Sequence, residues 1–382
     1  MLKQVFSPEV VQKVLTSNDV REIRPPHGVN ESEWVSSKIE LKNNSIKELK
    51  SGYVKGRTVY YPSDPIDRVM INIVDRFIRR IYSVKQSDRA SIVSQVKSLL
   101  NDQAPLYIVR CDIKSCFENI KFENIATKLE ADCILAPDMV DTIKSVIERC
   151  HDKGVPGLPR GLSISTTLCE LYLENFDDFL KRDSNVVYYA RYVDDFIVIC
   201  DEKYHKSVID KIEDYISGIG LELHKNGKKY YSNSLKGSSF DFLGYSFSRV
   251  GSKVKISISD AKLNKIKTKI LLAFLDYKKN SDFSLLVQRI NYLSVMKVVR
   301  HSSTGNILGG IIEQYKSLDD FEVIKNIDRY YNGIIVINKN IFSSLELRKL
   351  KKISFYSRCC ARSSGSFSRI KSCKINRVWK NV

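Results

Sequence analysis

Apolar residues fall into two kinds of stretch along this chain: short continuous runs, and longer segments in which they return every three or four positions. The short runs predict strands. Leu106-Tyr107-Ile108-Val109-Arg110-Cys111-Asp112-Ile113 reads as a buried strand that ends in an aspartate. Residues 186–189 and 196–200, rich in β-branched and aromatic side chains, read as the arms of a hairpin with Asp194-Asp195 at its tip. Residues 55–62 form a short basic strand closed by Pro62, and 240–247 make two strands around a tight aromatic turn.

The periodic segments predict helices. Ile66, Val69, Met70, Ile73, Val74, Phe77, Ile78 and Ile81 share one face, while Arg68, Arg76, Arg79 and Arg80 take the other. Asp64 is placed to cap that helix and Pro65 to occupy its first position. Further helices are expected over 91–100, 130–150 and a segment carrying Leu168, Leu171, Tyr172, Phe176 and Phe179. Another runs over 207–219 with Gly220 as its C-terminal cap, and lysine-rich helices such as 262–274 follow Ser259.

The acidic hairpin is the first candidate for chemistry. A turn made only for folding is usually Asn-Gly or Asp-Gly. Two adjacent carboxylates repel unless a cation lies beside them, and magnesium is the usual one. A solvated Asp-Asp turn is the alternative. The second aspartate-ended strand breaks the tie: if it lies beside the hairpin, Asp112, Asp194 and Asp195 converge. Three carboxylates holding two divalent cations suit in-line displacement at a phosphate.

Other residues fit around that centre with two readings each. Phe117, five positions after Asp112, lies beneath a nucleotide sugar if the chain turns back, or is an ordinary core residue. Lys55 and Arg57 can face a triphosphate or be solvated strand charges. One of Lys225, Lys228 and Lys229 can protonate a leaving pyrophosphate, or all three belong to a solvated turn. Gly154 to Ser165 is a loop whose glycines allow close backbone approach to a ligand, and without Gly-Lys-Ser/Thr it is no Walker loop.

Composition narrows the partner. A net charge of +18 and a pI near 9.3 point to a polyanion, with nucleic acid the natural candidate, although an anionic membrane surface or simple solubility also fits charge alone. No apolar run approaches the roughly 20 residues of a membrane span. Residues 1–8 lack a secretion signal's apolar core, so a cytoplasmic location without membrane partners is expected. Nine cysteines without Cys-x-x-Cys spacing argue against a disulfide framework and a zinc site. Cys111, Cys169 and Cys200 read as buried small hydrophobes. Residues 347–382 contain no acid; Phe355, Tyr356, Phe367 and Trp379 among the bases suggest stacking platforms in a backbone groove, or else a disordered tail.

Taken in order, these segments resemble a reverse transcriptase. Tyr192-Val193-Asp194-Asp195 matches the family's Tyr-x-Asp-Asp box, and Asp112 with Phe117 matches its first acidic motif and sugar-selecting aromatic. Gly157-Leu158-Pro159-x-Gly161 is similar to its template and nucleotide loop, with Arg160 where glutamine is usual. Phe242-Leu243-Gly244-Tyr245 is similar to the primer-grip turn of bacterial members, and Arg57 to their triphosphate-contacting arginine.

The resemblance implies an α+β right-hand polymerase fold, with an antiparallel palm sheet, helical fingers and a helical thumb. Expected boundaries are 1–105 for an N-terminal extension and fingers, 106–255 for the palm with a helical insertion at 121–158, and 256–382 for the thumb and basic C-terminal region. It implies two Mg2+ ions, replaceable by Mn2+, on Asp112, Ile113, Asp194 and Asp195. Lys55, Arg57, Phe117, Arg160, Gly161 and Lys228 are expected to contact the nucleotide, and Phe242, Leu243, Gly244 and Tyr245 the primer. Partners implied are dNTPs, a noncoding RNA template and the DNA product, with a second reverse transcriptase, an effector protein or further copies of the chain. The pattern is similar to retron and phage-defence enzymes of bacteria. A group II intron reverse transcriptase, an RNA-dependent RNA polymerase and a catalytically silent nucleic-acid scaffold are the alternatives.

Overall fold

The computed structural model describes residues 3–54, 56–101, 104–225, 227–235, 239–251, 253–301 and 305–380. The chain divides into two compact units, Met1–Asp88 with Pro105–Leu235, and Arg89–Ala104 with Lys236–Val382.

In the first unit, β1 (Leu49–Val54) and β2 (Arg57–Pro62) form an antiparallel ribbon. The predicted helix follows as Pro65–Ile81. The Asp64 side chain accepts from the Ile66 N–H, and Ile66, Val69, Met70, Ile73, Val74, Phe77 and Ile78 are buried as their spacing requires. The central sheet runs β4 (Val186–Tyr192), β5 (Asp195–Asp201), β3 (Leu106–Lys114), all antiparallel. The far edge of β3 pairs with the two short strands β6 (Glu222–Leu223) and β7 (Tyr231–Ser234).

β3 and β5 are continuous apolar runs because they are buried on both faces: Val109, Cys111, Phe196 and Val198 join the main core, and Ile108, Ile197 and Ile199 are buried on the alternate positions. Helix Glu174–Arg182 packs on β4 and helix His205–Gly218 on β5. The latter ends as predicted, with Gly220 at φ +76°. One expected helix is two. It breaks at Leu173 (φ −89°, ψ 0°) between Ser163–Tyr172 and Glu174–Arg182, although apolar spacing continues across the break.

In the second unit, β8 (Ser239–Phe242), β9 (Tyr245–Val250) and β10 (Lys253–Ile258) form an antiparallel meander. Helix Arg89–Leu100 packs on β10, with Asn101 accepting from the Val254 N–H at 2.8 Å. The lysine-rich helix spans Asp260–Asn280 and buries Ile266, Ile270, Ala273, Phe274 and Tyr277 against Phe283–Ser294 and Glu322–Ile337. β11 (Met296–His301) lies between β12 (Gly305–Gly309) and the parallel β13 (Ser364–Phe367).

The basic C-terminal region corrects the disordered-tail reading, and the stacking-platform reading at two of its four rings. It is folded into helices Ser344–Lys351, Phe355–Cys360 and Arg369–Asn376 besides β13, so it is no disordered tail. Phe355 and Trp379 are buried, and the Trp379 indole N–H donates to the Lys269 carbonyl at 2.9 Å, so these two rings are core and not stacking platforms. Cys111, Cys169 and Cys200 are buried free thiols, as their apolar neighbours suggested.

Candidate active site

The acidic residues meet at one end of the central sheet. Asp112 and Asp195 are direct register partners across β3 and β5. The Ile113 N–H donates to the Asp194 carbonyl at 2.9 Å, which ties the hairpin tip to the end of β3. Burial pushes the Asp194 and Asp195 carboxyls above the usual range, and the charge of Asp112 adds to both; Arg110 offsets part of the rise at Asp195.

Cations already stand against the group. Arg110 grips Asp195 through Nε to Oδ1 (3.0 Å) and Nη2 to Oδ2 (3.3 Å). Lys229 Nζ lies 2.8 Å from Asp112 Oδ1, and His224 Nε2 lies 3.4 Å from the same oxygen. Of the two candidate lysines whose side chains are described, Lys229 is the one that reaches Asp112. Lys225 pairs with Glu213 at 2.6 Å, and the Lys228 side chain lies outside the described ones.

Carboxylate oxygens are hard donors of the kind that hold a small divalent cation. Among the described residues, no three His, Cys, Asp or Glu side chains close a cage by themselves.

The hairpin tip is a strained turn. Tyr192 and Asp195 are paired, leaving a two-residue loop in which Val193 has φ +61°. A left-handed backbone costs roughly 1–2 kcal/mol for an L-residue, and β-branching makes this one a genuine outlier. Arg191 meets it: its Nη1–H donates to the Val193 carbonyl at 2.9 Å.

After β3 the chain reverses at Ser115 (φ +46°) into the single turn Cys116–Asn119, which carries Phe117. Phe117 is buried, and the Arg160 guanidinium lies 4.8 Å from its ring centroid. Arg160 also binds Glu118 bidentately, so the residue that departs from the family pattern is held half-buried by a partner within the protein. Glu118 is depressed below the usual carboxylate range, first by that hydrogen bond, and the charge of Arg57 contributes. Arg57 itself is exposed at the start of β2, and Lys55 lies outside the described residues.

The loop glycines approach protein backbone. A Cβ on Gly157 would sit 2.5 Å from the Phe117 and Glu118 carbonyl oxygens, and one on Gly161 (φ +103°) 2.5 Å from the Tyr60 carbonyl oxygen. The Leu158 N–H donates to the Phe117 carbonyl (2.7 Å) and the Tyr60 N–H to the Arg160 carbonyl (2.6 Å). The loop thereby bridges β2 to the segment carrying Phe117.

In the second unit, Phe242 and Tyr245 are buried on either side of the turn Leu243-Gly244, both residues having positive φ (49° and 79°). Arg89 Nε–H donates to the Leu243 carbonyl at 2.8 Å and its guanidinium lies 4.9 Å from the Tyr245 centroid. Arg89, Arg110, Arg191, Glu118 and His224 were not singled out from sequence, since each acts through a partner that only the fold supplies.

Among the described residues, no helix is long and apolar enough to cross a membrane. No curated protein matches the chain. Among solved structures, apo telomerase from Candida tropicalis, truncated from C-terminal domain, aligns at 16% identity and a TM-score of 0.38, over 55% of this chain and 54% of that chain. The chain thus spans about half the length of that neighbour. Residues 63–247 match the family model described as reverse transcriptase (RNA-dependent DNA polymerase), a stretch that takes in Asp112, Phe117, the 157–161 loop, the acidic hairpin and the 242–245 turn. Residues 63–247 are thus similar to a reverse transcriptase domain, and the antiparallel central sheet with its surrounding helices belongs to a right-hand polymerase fold.

Proposed function

We propose that Asp112, Asp194 and Asp195 form the centre at which this enzyme extends a DNA strand on an RNA template. One observation carries the reading: β3 and the β4–β5 hairpin bring these acids to one end of a sheet, where burial and mutual charge raise Asp194 and Asp195. Asp112 and Asp194 would hold two divalent cations with Asp195 assisting. When bound, such a pair supplies activation of the attacking hydroxyl and neutralisation of the leaving pyrophosphate. Lys229, 2.8 Å from Asp112, is placed to hold a phosphate or give it a proton once cations replace the ammonium on that carboxylate. Phe117, roofed by Arg160, would wall off a ribose 2′-hydroxyl. In this reading residues up to 105 supply the fingers, 106–255 the palm and 256–382 the thumb.

Primer extension on an RNA template with dNTPs and Mg2+ tests this. Asp194→Ala is expected to abolish synthesis while RNA binding stays near wild type. Wild-type extension by that variant would remove the hairpin from the active site, and an inactive wild type would favour the scaffold reading. The finer assignment, a retron-like or defence-associated bacterial enzyme copying a dedicated noncoding RNA, is supported by Arg160 in place of the usual glutamine. Sequencing of the nucleic acids that copurify with the protein would identify template and product together.

A further inference from the structure

The Tyr192–Asp195 turn is held from behind by a residue outside the motif. The Arg191 side chain is 3% exposed. Nε and Nη2 bind Asp177 Oδ1 and Oδ2 at 2.7 and 2.6 Å, and Nη2 also lies 2.9 Å from Glu170 Oε2. Tyr189 on the same strand donates its hydroxyl to Asp177 Oδ1 at 2.6 Å. Two carboxylates on helices Ser163–Tyr172 and Glu174–Arg182 therefore fix the guanidinium plane, and the remaining Nη1 points to the Val193 carbonyl.

The consequence for Asp194 follows from its two neighbouring peptide groups. The carbonyl before its Cα, that of Val193, is bonded to Arg191 at 2.9 Å. The carbonyl after it, its own, accepts from the Ile113 N–H at 2.9 Å. With both peptide planes pinned, the direction of the Asp194 Cα–Cβ bond is set, and a left-handed valine persists where glycine would be the relaxed choice.

We propose that Arg191 is a positioning residue: braced by Asp177 and Glu170, it holds the Val193 carbonyl and thereby aims the Asp194 carboxylate beside Asp112. The inference rests on the reading of Asp194 as a metal-holding carboxylate. Removal of a group that orients a metal carboxylate typically costs about 10- to 100-fold in metal affinity or activity. Lysine at 191 keeps the charge but cannot span two carboxylates and a carbonyl with one planar fork.

The test compares wild type, Arg191→Lys and Asp177→Asn by circular-dichroism melting, dNTP kcat and KM in primer extension, and Mn2+ binding to the apo protein by electron paramagnetic resonance. For folded Arg191→Lys the expectation is a kcat loss and a weaker Mn2+ site, each of about 10-fold or more, with KM for dNTP changed by no more than about threefold. Asp177→Asn should move both quantities in the same direction by less. Wild-type kcat and Mn2+ affinity in folded Arg191→Lys would overturn the proposal, as would a kcat loss that only tracks the folded fraction. If Arg191→Lys does not fold, Asp177→Asn decides, and wild-type values there overturn it. Wild-type protein that incorporates no dNTP would defeat the polymerase reading instead, with the Mn2+ arm still reporting on Arg191.

Discussion

Arg160 and Glu118 hold each other by two N–H···O bonds, Nε to Oε1 at 2.5 Å and Nη2 to Oε2 at 3.0 Å, and the same guanidinium covers the Phe117 ring. Phe117→Ala is expected to admit ribonucleotides, and Arg160→Gln to reproduce a smaller part of that loss by letting the ring tilt. A double-mutant cycle of Arg160→Gln with Glu118→Gln, read as the dNTP over rNTP ratio of kcat/KM, should be non-additive by about 0.5 kcal/mol or more. Strict additivity would mean that the pair does not act as a unit on the ring.

The same pair gives a pH dependence of stability with a definite sign. The Glu118 carboxyl is depressed in the folded protein, so its contribution is fully present above the ordinary glutamate range and is lost as pH falls through the lower folded value. Glu118 is 40% exposed, so solvent screening keeps that contribution under about 1 kcal/mol. The difference in urea midpoint between wild type and Glu118→Gln should be constant from about pH 8 to 6 and shrink below about pH 4. A difference that grows on acidification would reverse the assignment.

Gly161 and Gly154 both have positive φ, but only the first meets backbone. Alanine at 161 would place Cβ 2.5 Å from the Tyr60 carbonyl oxygen, whereas at 154 nothing lies within 4 Å. Gly154→Ala should cost about 1 kcal/mol for the left-handed backbone alone. Gly161→Ala should cost at least about 2 kcal/mol more, because the loop must leave β2 and break the Tyr60 to Arg160 bond. Equal melting temperatures for the two variants would show that the loop accommodates the extra carbon.

Trp379 sits near the end of the chain yet is buried, beside Tyr292 and bonded to Lys269. Trp379→Ala should destabilise the protein by about 3–5 kcal/mol, the range for removal of a large core aromatic. Chemical denaturation followed by circular dichroism would show it. A loss under about 1 kcal/mol would return the ring to the surface role suggested by its basic sequence neighbours.

Sequence legibility ended where side chains needed partners. The central strands and the Pro65–Ile81 helix were readable because burial imposes a period and Asp64-Pro65 marks a start. The meeting of Asp112 with the Asp194-Asp195 turn was readable because adjacent aspartates are wasteful in an ordinary turn and a second strand ends in an aspartate. Arg191 was not, since Asp177 lies fourteen positions away on a helix with no fixed offset to β4. Lys229 reaches Asp112 from the tight helical turn Gly227–Lys229, a position that the run of lysines alone does not reveal. Phe355 and Trp379 misled because interleaved rings and bases look the same whether the rings face solvent or a core.

Helix Arg89–Leu100 precedes most of the first unit in sequence and packs with the second, where Lys97 also reaches Asp319 at 2.5 Å. During synthesis its apolar residues Ile92, Val93, Val96 and Leu100 leave the ribosome long before β10 exists, so the nascent chain carries this helix without its seat until β10 has been made. Nor can the gene be dissected by a single cut: a fragment starting at 236 would lack this helix, and a fragment ending at 235 would carry it without a seat.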